Sequence, residues 1–422
     1  MLIIFFCNLH FAINEISITF ATSLESSKME AFYQTHAYLV EHTNAPVRRM
    51  LMDEIDWNAR LIGIKGTRGV GKTTFLLQYA KEHFGTDRSC LYVNMNNFYF
   101  QGTTLTEFAG EFHRHGGKVL LIDQVFKQPG WNHELRQCYD LYPGLKIIFT
   151  GSSVMHLTDK KENPELADIV KSYNLRGFSF REYLNLQTRN NFPAYSLDDI
   201  LANHEYIIKE ILPKVRPLNY FQDYLHHGFY PFFLEKRNFS ENLLKTMNMM
   251  IEVDILLIKQ IELKYLSKIK KLLYLLAVDG PAVPNVSQLA TDIQTSRATV
   301  MNYIKYLADA RLINMVYPKG ETFPKKPSKI MMHNTNLMYS IYPVKVEEQD
   351  VLETFFFNTM HKDHKLYKGD KGISFWVDGQ LPFRICDKGC KFKNMPDTLY
   401  AMHHTEVGHE NQIPLWLFGF VY

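Results

Sequence analysis

Leu61-Ile-Gly-Ile-Lys-Gly-Thr-Arg-Gly-Val-Gly-Lys-Thr-Thr74 decides the fold. Leu61–Ile64 is a short apolar run of the kind that forms a buried strand. Gly66 to Thr73 then fits G-x-x-x-x-G-K-[ST] at every fixed position, and an apolar-periodic helix follows from Thr73 through Ala80. Strand, glycine-rich loop and helix together form a phosphate cradle. Glycines let backbone N–H groups converge on phosphate oxygens, and the helix adds its positive N-terminal end. Gly66, Thr67, Arg68, Gly69, Val70, Gly71, Lys72, Thr73 and Thr74 are therefore the expected nucleotide-binding residues. Lys72 would neutralise the β- and γ-phosphates, and the Thr73 hydroxyl would ligate Mg²⁺. No guanine-reading Asn-Lys-x-Asp occurs in the sequence, which favours ATP.

Further apolar runs follow at Cys90–Val93, Val119–Ile122 and Lys146–Thr150, with helical stretches between them. Strands alternating with helices predict an α/β fold of the P-loop type, a parallel sheet covered on both faces. Asp123 closes the third run, where a second Mg²⁺ ligand belongs. Its neighbour Gln124 stands where a water-activating Glu would serve. A glutamine can orient a water but cannot take its proton, so hydrolysis is expected to be slow or conditional. Ser152 and Ser153 follow the fourth run. They either sense the γ-phosphate or are ordinary loop residues.

The bulk numbers agree with a globular chain. It has 422 residues, 46% hydrophobic and 22% charged, with a net charge of +3. That charge is too mild to imply nucleic acid by itself. Five scattered cysteines fit a reducing cytoplasm, and Cys386 and Cys390 read as unremarkable thiols. No stretch reaches the roughly 18 apolar residues of a spanning helix, so no membrane partner is expected. Residues 1–28 read as a tail or an over-extended start, with the working chain beginning near Met29.

Beyond Arg181-Glu-Tyr-Leu184 the strand–helix alternation stops. Residues 186–262 read as a helical lid. Residues 263–318 carry the order of a winged helix: helices over 267–278, Val286–Ala290 and Ser296–Ala308, then a strand at Leu312–Tyr317. On the third helix Val300, Ile304 and Leu307 share one face, while Arg297, Thr299, Asn302 and Lys305 point away and could meet a DNA groove. Between Lys264 and Arg311 there are seven Lys/Arg against three Asp. Most of that charge sits on the first helix, so packing against the core competes with DNA binding.

The string of motifs resembles bacterial AAA-type ATPases that pair an ATP-binding domain with a C-terminal domain of unknown function. The matching residues are the phosphate loop, Leu120–Asp123, Pro129–Trp131, Asp140–Tyr142, Phe149–Ser153, Tyr173–Leu175, Phe178–Leu184, Glu406–Gly408 and Ile413–Gly419. The resemblance implies an AAA-like core over 29–185, a lid, a winged helix, and a restriction-endonuclease-like module over 319–422. Two departures concern hydrolysis. Relatives usually carry Asp-Glu where this chain has Asp123-Gln124, and often arginines where it has Leu166–Lys171. Arg176 or Arg181 would have to substitute. In the C-terminal module Asp378, with Lys388, is the candidate nuclease cluster, and Asp387, beside Lys388, is one candidate for the missing acid. Arg384 falls where an acid is wanted, so an inactive fold used for packing or a protein partner is expected. The overall expectation is an ATP-binding AAA-type switch with slow hydrolysis; the alternative is a DNA-binding regulator with a mainly structural nucleotide site. Oligomeric state is left open.

Overall fold

The structure, a computed structural model, describes residues 28–235, 238–388 and 397–422. The expected tail lies outside them apart from Lys28, which opens a helix over residues 28–42.

The core is a five-stranded, wholly parallel sheet. Its strands are β1 (Leu61–Gly66), β2 (Cys90–Asn94), β3 (Val119–Asp123), β4 (Lys146–Ser152) and β5 (Lys171–Asn174), in the order β2-β3-β4-β1-β5. Near-continuous apolar runs are what such a sheet requires, because helices cover both faces. Leu120, Leu121 and Ile122 are fully buried, each contributing about 1.5–3 kcal/mol of transfer free energy. β1 lies between β4 and β5, so its C-terminal end delivers the glycine loop to the middle of the sheet's edge. This is the P-loop NTPase arrangement, with an AAA-like strand order. β5 was missed as a strand because its residues are half-buried or exposed and carry no apolar run.

The region after residue 186 is helical, as expected, but irregular. It includes the helices Leu197–Ile211 and Phe239–Met249, a π-helical turn at Met250–Ile255, and a 3₁₀ turn at Pro231–Glu235. Next come helices Leu266–Asp279, Val286–Asp292 and Arg297–Asp309 and the antiparallel pair β6 (Ile313–Val316) and β7 (Lys329–Met332). β7 lies beyond the expected boundary at 318, paired back onto β6 across the segment 317–328.

The C-terminal module starts with the helix Glu348–Met360. A five-stranded mixed sheet follows: β8 (Leu366–Lys368), β9 (Phe375–Val377), β10 (Leu381–Cys386), β11 (Leu399–Met402) and β12 (Gln412–Pro414). Leu415–Phe420, whose first four residues form an apolar run that suggests a strand, is a buried 3₁₀ turn around Trp416. An all-apolar run has no period to separate the two. Cys386 is disulfide-bonded, against the expectation of plain thiols, and Cys390 lies outside the described residues. No helix among the described residues is long and apolar enough to cross a membrane.

Candidate functional site

The loop after β1 takes the shape that its glycines permit. Gly71 has φ +94° and sits immediately before the helix Lys72–His83, leaving the first N–H groups of that helix free. Gly69 has φ +85°, and a Cβ there would stand 2.4 Å from the Phe232 ring. The expected binding residues converge: Arg68, Gly69, Gly71, Lys72, Thr73 and Thr74 line one cavity of about 290 Å³ with Asp123, Gln124 and Ser152.

Lys72 folds back over the loop, its Nζ donating to the Gly66 and Thr67 carbonyls at 2.8 Å each. Burial pushes its ammonium down to about 8, against the pull of Asp254 and Asp123. The Thr73 hydroxyl donates to Asp123 Oδ2 at 2.7 Å. Asp123 also accepts from Tyr92 at 2.9 Å, Asn94 at 3.1 Å and the Thr150 hydroxyl. Burial first, then the Asp123 charge, push the Tyr92 phenol well up, so it stays a neutral donor. A hydroxyl and a fixed carboxylate one hydrogen bond apart are an all-oxygen donor set of the kind Mg²⁺ takes alongside waters. Gln124 adopts a left-handed conformation at φ +57°, and Thr150 accepts its backbone N–H at 2.9 Å.

The lid supplies what the sequence reading lacked. Asp254, 3% exposed, lines the same cavity. Its Oδ1 accepts from Arg68 Nη2 at 2.7 Å, and its Oδ2 from the Ser152 hydroxyl at 3.0 Å. Ser152 is thus committed to a carboxylate rather than free in a loop. Asp254 belongs to the π-helical turn, a distortion that shifts side-chain register and recurs at functional positions. The available signal was two acids, Glu252 and Asp254, inside the otherwise apolar stretch Met249–Leu257. The turn Pro231–Glu235 adds Phe232 as a cover over Gly69, stacked at 5.7 Å on Tyr230, whose hydroxyl accepts from Asn334.

Arg49 is buried under the loop. It donates to the carbonyls of Val70, Arg176 and Gly177 and pairs with Glu182 at 3.0 Å. Neither proposed substitute arginine reaches the phosphate cavity. Arg181 donates to the carbonyls of Tyr422 and Phe192, a structural role. Arg176 lies in another cavity, beyond β5.

The other expected sites fare differently. Lys305 does not point into open solvent: it pairs with Asp309, which also meets His156 at 3.2 Å and Lys259 at 3.7 Å. Only Arg297 and Asn302 of the expected groove-facing set are fully exposed. Asp378 sits in the β9–β10 turn at φ +52°, holding His364 and the Lys365 N–H. It is absent from the lining of the module's cleft of about 890 Å³, where Arg384 is joined instead by Asp387 and by Glu353, itself paired with Lys329.

Residues 58–184 match the family described as "AAA domain". The chain carries an AAA-type domain. Residues 218–348 match a domain of unknown function. An uncharacterized protein of Methanocaldococcus jannaschii is 30% identical over 275 residues, which cover 62% of this chain and 57% of that protein. The chain therefore matches little more than half the length of that relative. AMPPCP-bound DnaA from Aquifex aeolicus is similar at 16% identity over 61% of this chain and 86% of its own, with a TM-score of 0.23. C. elegans PCH-2 is similar at 20% identity over 38% and 45%, also with a TM-score of 0.23. Scores that low carry no functional weight.

Proposed function

We propose that this chain binds ATP with Mg²⁺ at Gly66–Thr74 and works as a nucleotide-dependent switch with slow or conditional hydrolysis. One observation carries the switch: a buried lid carboxylate, Asp254, is held in the phosphate cavity by the loop's own Arg68 and by Ser152. An incoming triphosphate competes with Asp254 for the same donors, so nucleotide occupancy and lid position are linked. The cavity's roughly 290 Å³ lies below the 300–1,000 Å³ usual for an engulfed ligand, which supports lid displacement on binding.

Lys72 would turn from the Gly66 and Thr67 carbonyls to the phosphates. Thr73 and Asp123 would hold Mg²⁺, which neutralises phosphate charge when bound. Gln124 would orient a water without deprotonating it. The DNA-regulator alternative loses its reading lysine to the Asp309 cluster. The C-terminal module is read as endonuclease-like in fold and inactive, since Asp378 is spent on a turn.

Titration of the full chain with ATP and Mg²⁺, with phosphate release measured alongside, tests the reading. Saturable binding lost in Lys72→Ala and turnover well below one per second are expected. Equal binding by wild type and Lys72→Ala overturns it.

A further inference from the structure

A second polar cavity, of about 420 Å³, lies where the edge of β5, the end of the helix Arg297–Asp309 and the end of the helix Glu348–Met360 meet. Its charge is unbalanced. Glu54 and Asp363 line it, but both are paired with Lys362, at 2.8 and 3.0 Å. Arg176 is 8% exposed, and its Nη2 donates to the Asn358 carbonyl. Its Nε is buried with no partner. The half-buried Arg311 side chain has no hydrogen-bond or ion-pair partner among the described residues, and the charge acting on it most strongly is that of Arg176, with Tyr422 pulling in the opposite sense. Two guanidiniums thus face one cavity with no carboxylate committed to either.

Retaining such a pair is costly. A buried charge without a counter-ion loses solvation, and a like charge beside it adds repulsion. Backbone geometry points the same way. Arg311 follows the C-cap of its helix with φ +58°, the left-handed position that glycine normally takes. The histidines there do not add charge. Burial and the two guanidiniums hold His361 down to about 4 and His333 well below its usual value, leaving both as neutral hydrogen-bonding groups.

We propose that this cavity is a binding site for a small phosphorylated anion, gripped by Arg176 and Arg311. Arg176 also lies 5.4 Å from the centroid of the Tyr422 ring, which is no counter-ion. Guanidinium forks match phosphate oxygens, and a dianionic phosphate balances two cations without counter-ions where a carboxylate would leave one unmatched. The site also touches the nucleotide loop. Arg49 donates to the carbonyls of both Arg176 and Val70, and Asn174 of β5 is in register with Lys65 of β1. This proposal does not rest on the ATP reading.

The test uses the full chain carrying Lys72→Ala, so that the glycine loop does not contribute. Inorganic phosphate, pyrophosphate and AMP are titrated by calorimetry against sodium chloride of matched ionic strength. At least one phosphate ligand should bind saturably and raise the thermal midpoint, with affinity at least tenfold weaker in Arg311→Met and in Arg176→Met. AMP outbinding phosphate identifies a nucleotide, and the reverse identifies the free anion. Without anion, Arg311→Met should unfold at the same or higher temperature than its parent, since it removes an uncompensated cation. If Arg176→Met does not fold, Arg311→Met carries the test alone. No saturable binding, or equal binding by Arg311→Met, overturns the proposal.

Discussion

Asp254→Asn is the sharpest perturbation of the nucleotide site. Asparagine keeps the size of the carboxylate and its bond from Ser152 but removes the charge. Asp254 is 3% exposed, while Arg68 retains 24% of its side-chain surface. The pair is thus partly screened, and its worth falls below that of a fully buried ion pair. A charge-assisted hydrogen bond contributes about 1.5–3 kcal/mol. ATP must break it, and the substitution breaks it in advance, returning Arg68 to the phosphates.

At about 1.4 kcal/mol per tenfold, ATP should bind roughly 10- to 100-fold more tightly to Asp254→Asn. Fluorescent-nucleotide titration at fixed Mg²⁺ and ionic strength reads this directly. The effect should vanish when Arg68→Ala is already present, because the partner that Asp254 occupies is then gone. Unchanged or weaker ATP binding by Asp254→Asn would refute the competition argument, since it would mean that the lid carboxylate assists the bound nucleotide rather than excluding it.

Lys72 gives a pH signature. Its ammonium sits at about 8 in the nucleotide-free chain, and phosphates would raise that value. Binding should therefore take up a proton above pH 8, and ATP affinity should fall roughly tenfold between pH 7 and pH 9; a flat profile there contradicts a buried, partly deprotonated Lys72. Gln124→Glu restores a proton acceptor beside the cavity and should speed phosphate release by about a hundredfold or more. A variant no faster than wild type would show that position 124 does not limit turnover. Asp309→Asn removes the carboxylate shared by Lys305, His156 and Lys259 and should cost about 1–3 kcal/mol in urea unfolding, against less than about 1 kcal/mol for Lys305→Ala. Equal losses would mean that Asp309 has no role beyond Lys305.

What the sequence disclosed was local, and what it hid came from packing between distant segments. The loop and Asp123 were legible because phosphate chemistry fixes residue types at fixed spacings, and four of the five core strands because a parallel sheet demands apolar runs. β5 was hidden because its residues are half-buried or exposed and form no apolar run, whereas β2, at the opposite edge, is buried and does. Asp254 is 186 residues from Arg68, and no spacing rule links a lid helix to a glycine loop. Arg49 gave no signal because its partners are mostly backbone carbonyls, which any sequence offers. Asp378 misled for the opposite reason: an acid near a lysine satisfies a motif, yet at φ +52° its backbone belongs to a turn and its carboxylate to His364.

These cases separate two kinds of charge. Arg49, Arg181 and Asp309 are each tied to several partners within the chain, and their work is structural. Asp254, Arg176 and Arg311 sit in cavities where the chain leaves the electrostatics unfinished or occupied by a substitute. A fold built for stability alone would have placed apolar residues there at little loss. Asp254 stands in for an anion that has yet to arrive, and the two guanidiniums of the second cavity lack even a stand-in. Both cavities are therefore sites at which ligand charge can alter the conformational balance, and Arg49 ties them mechanically through Val70 and Arg176.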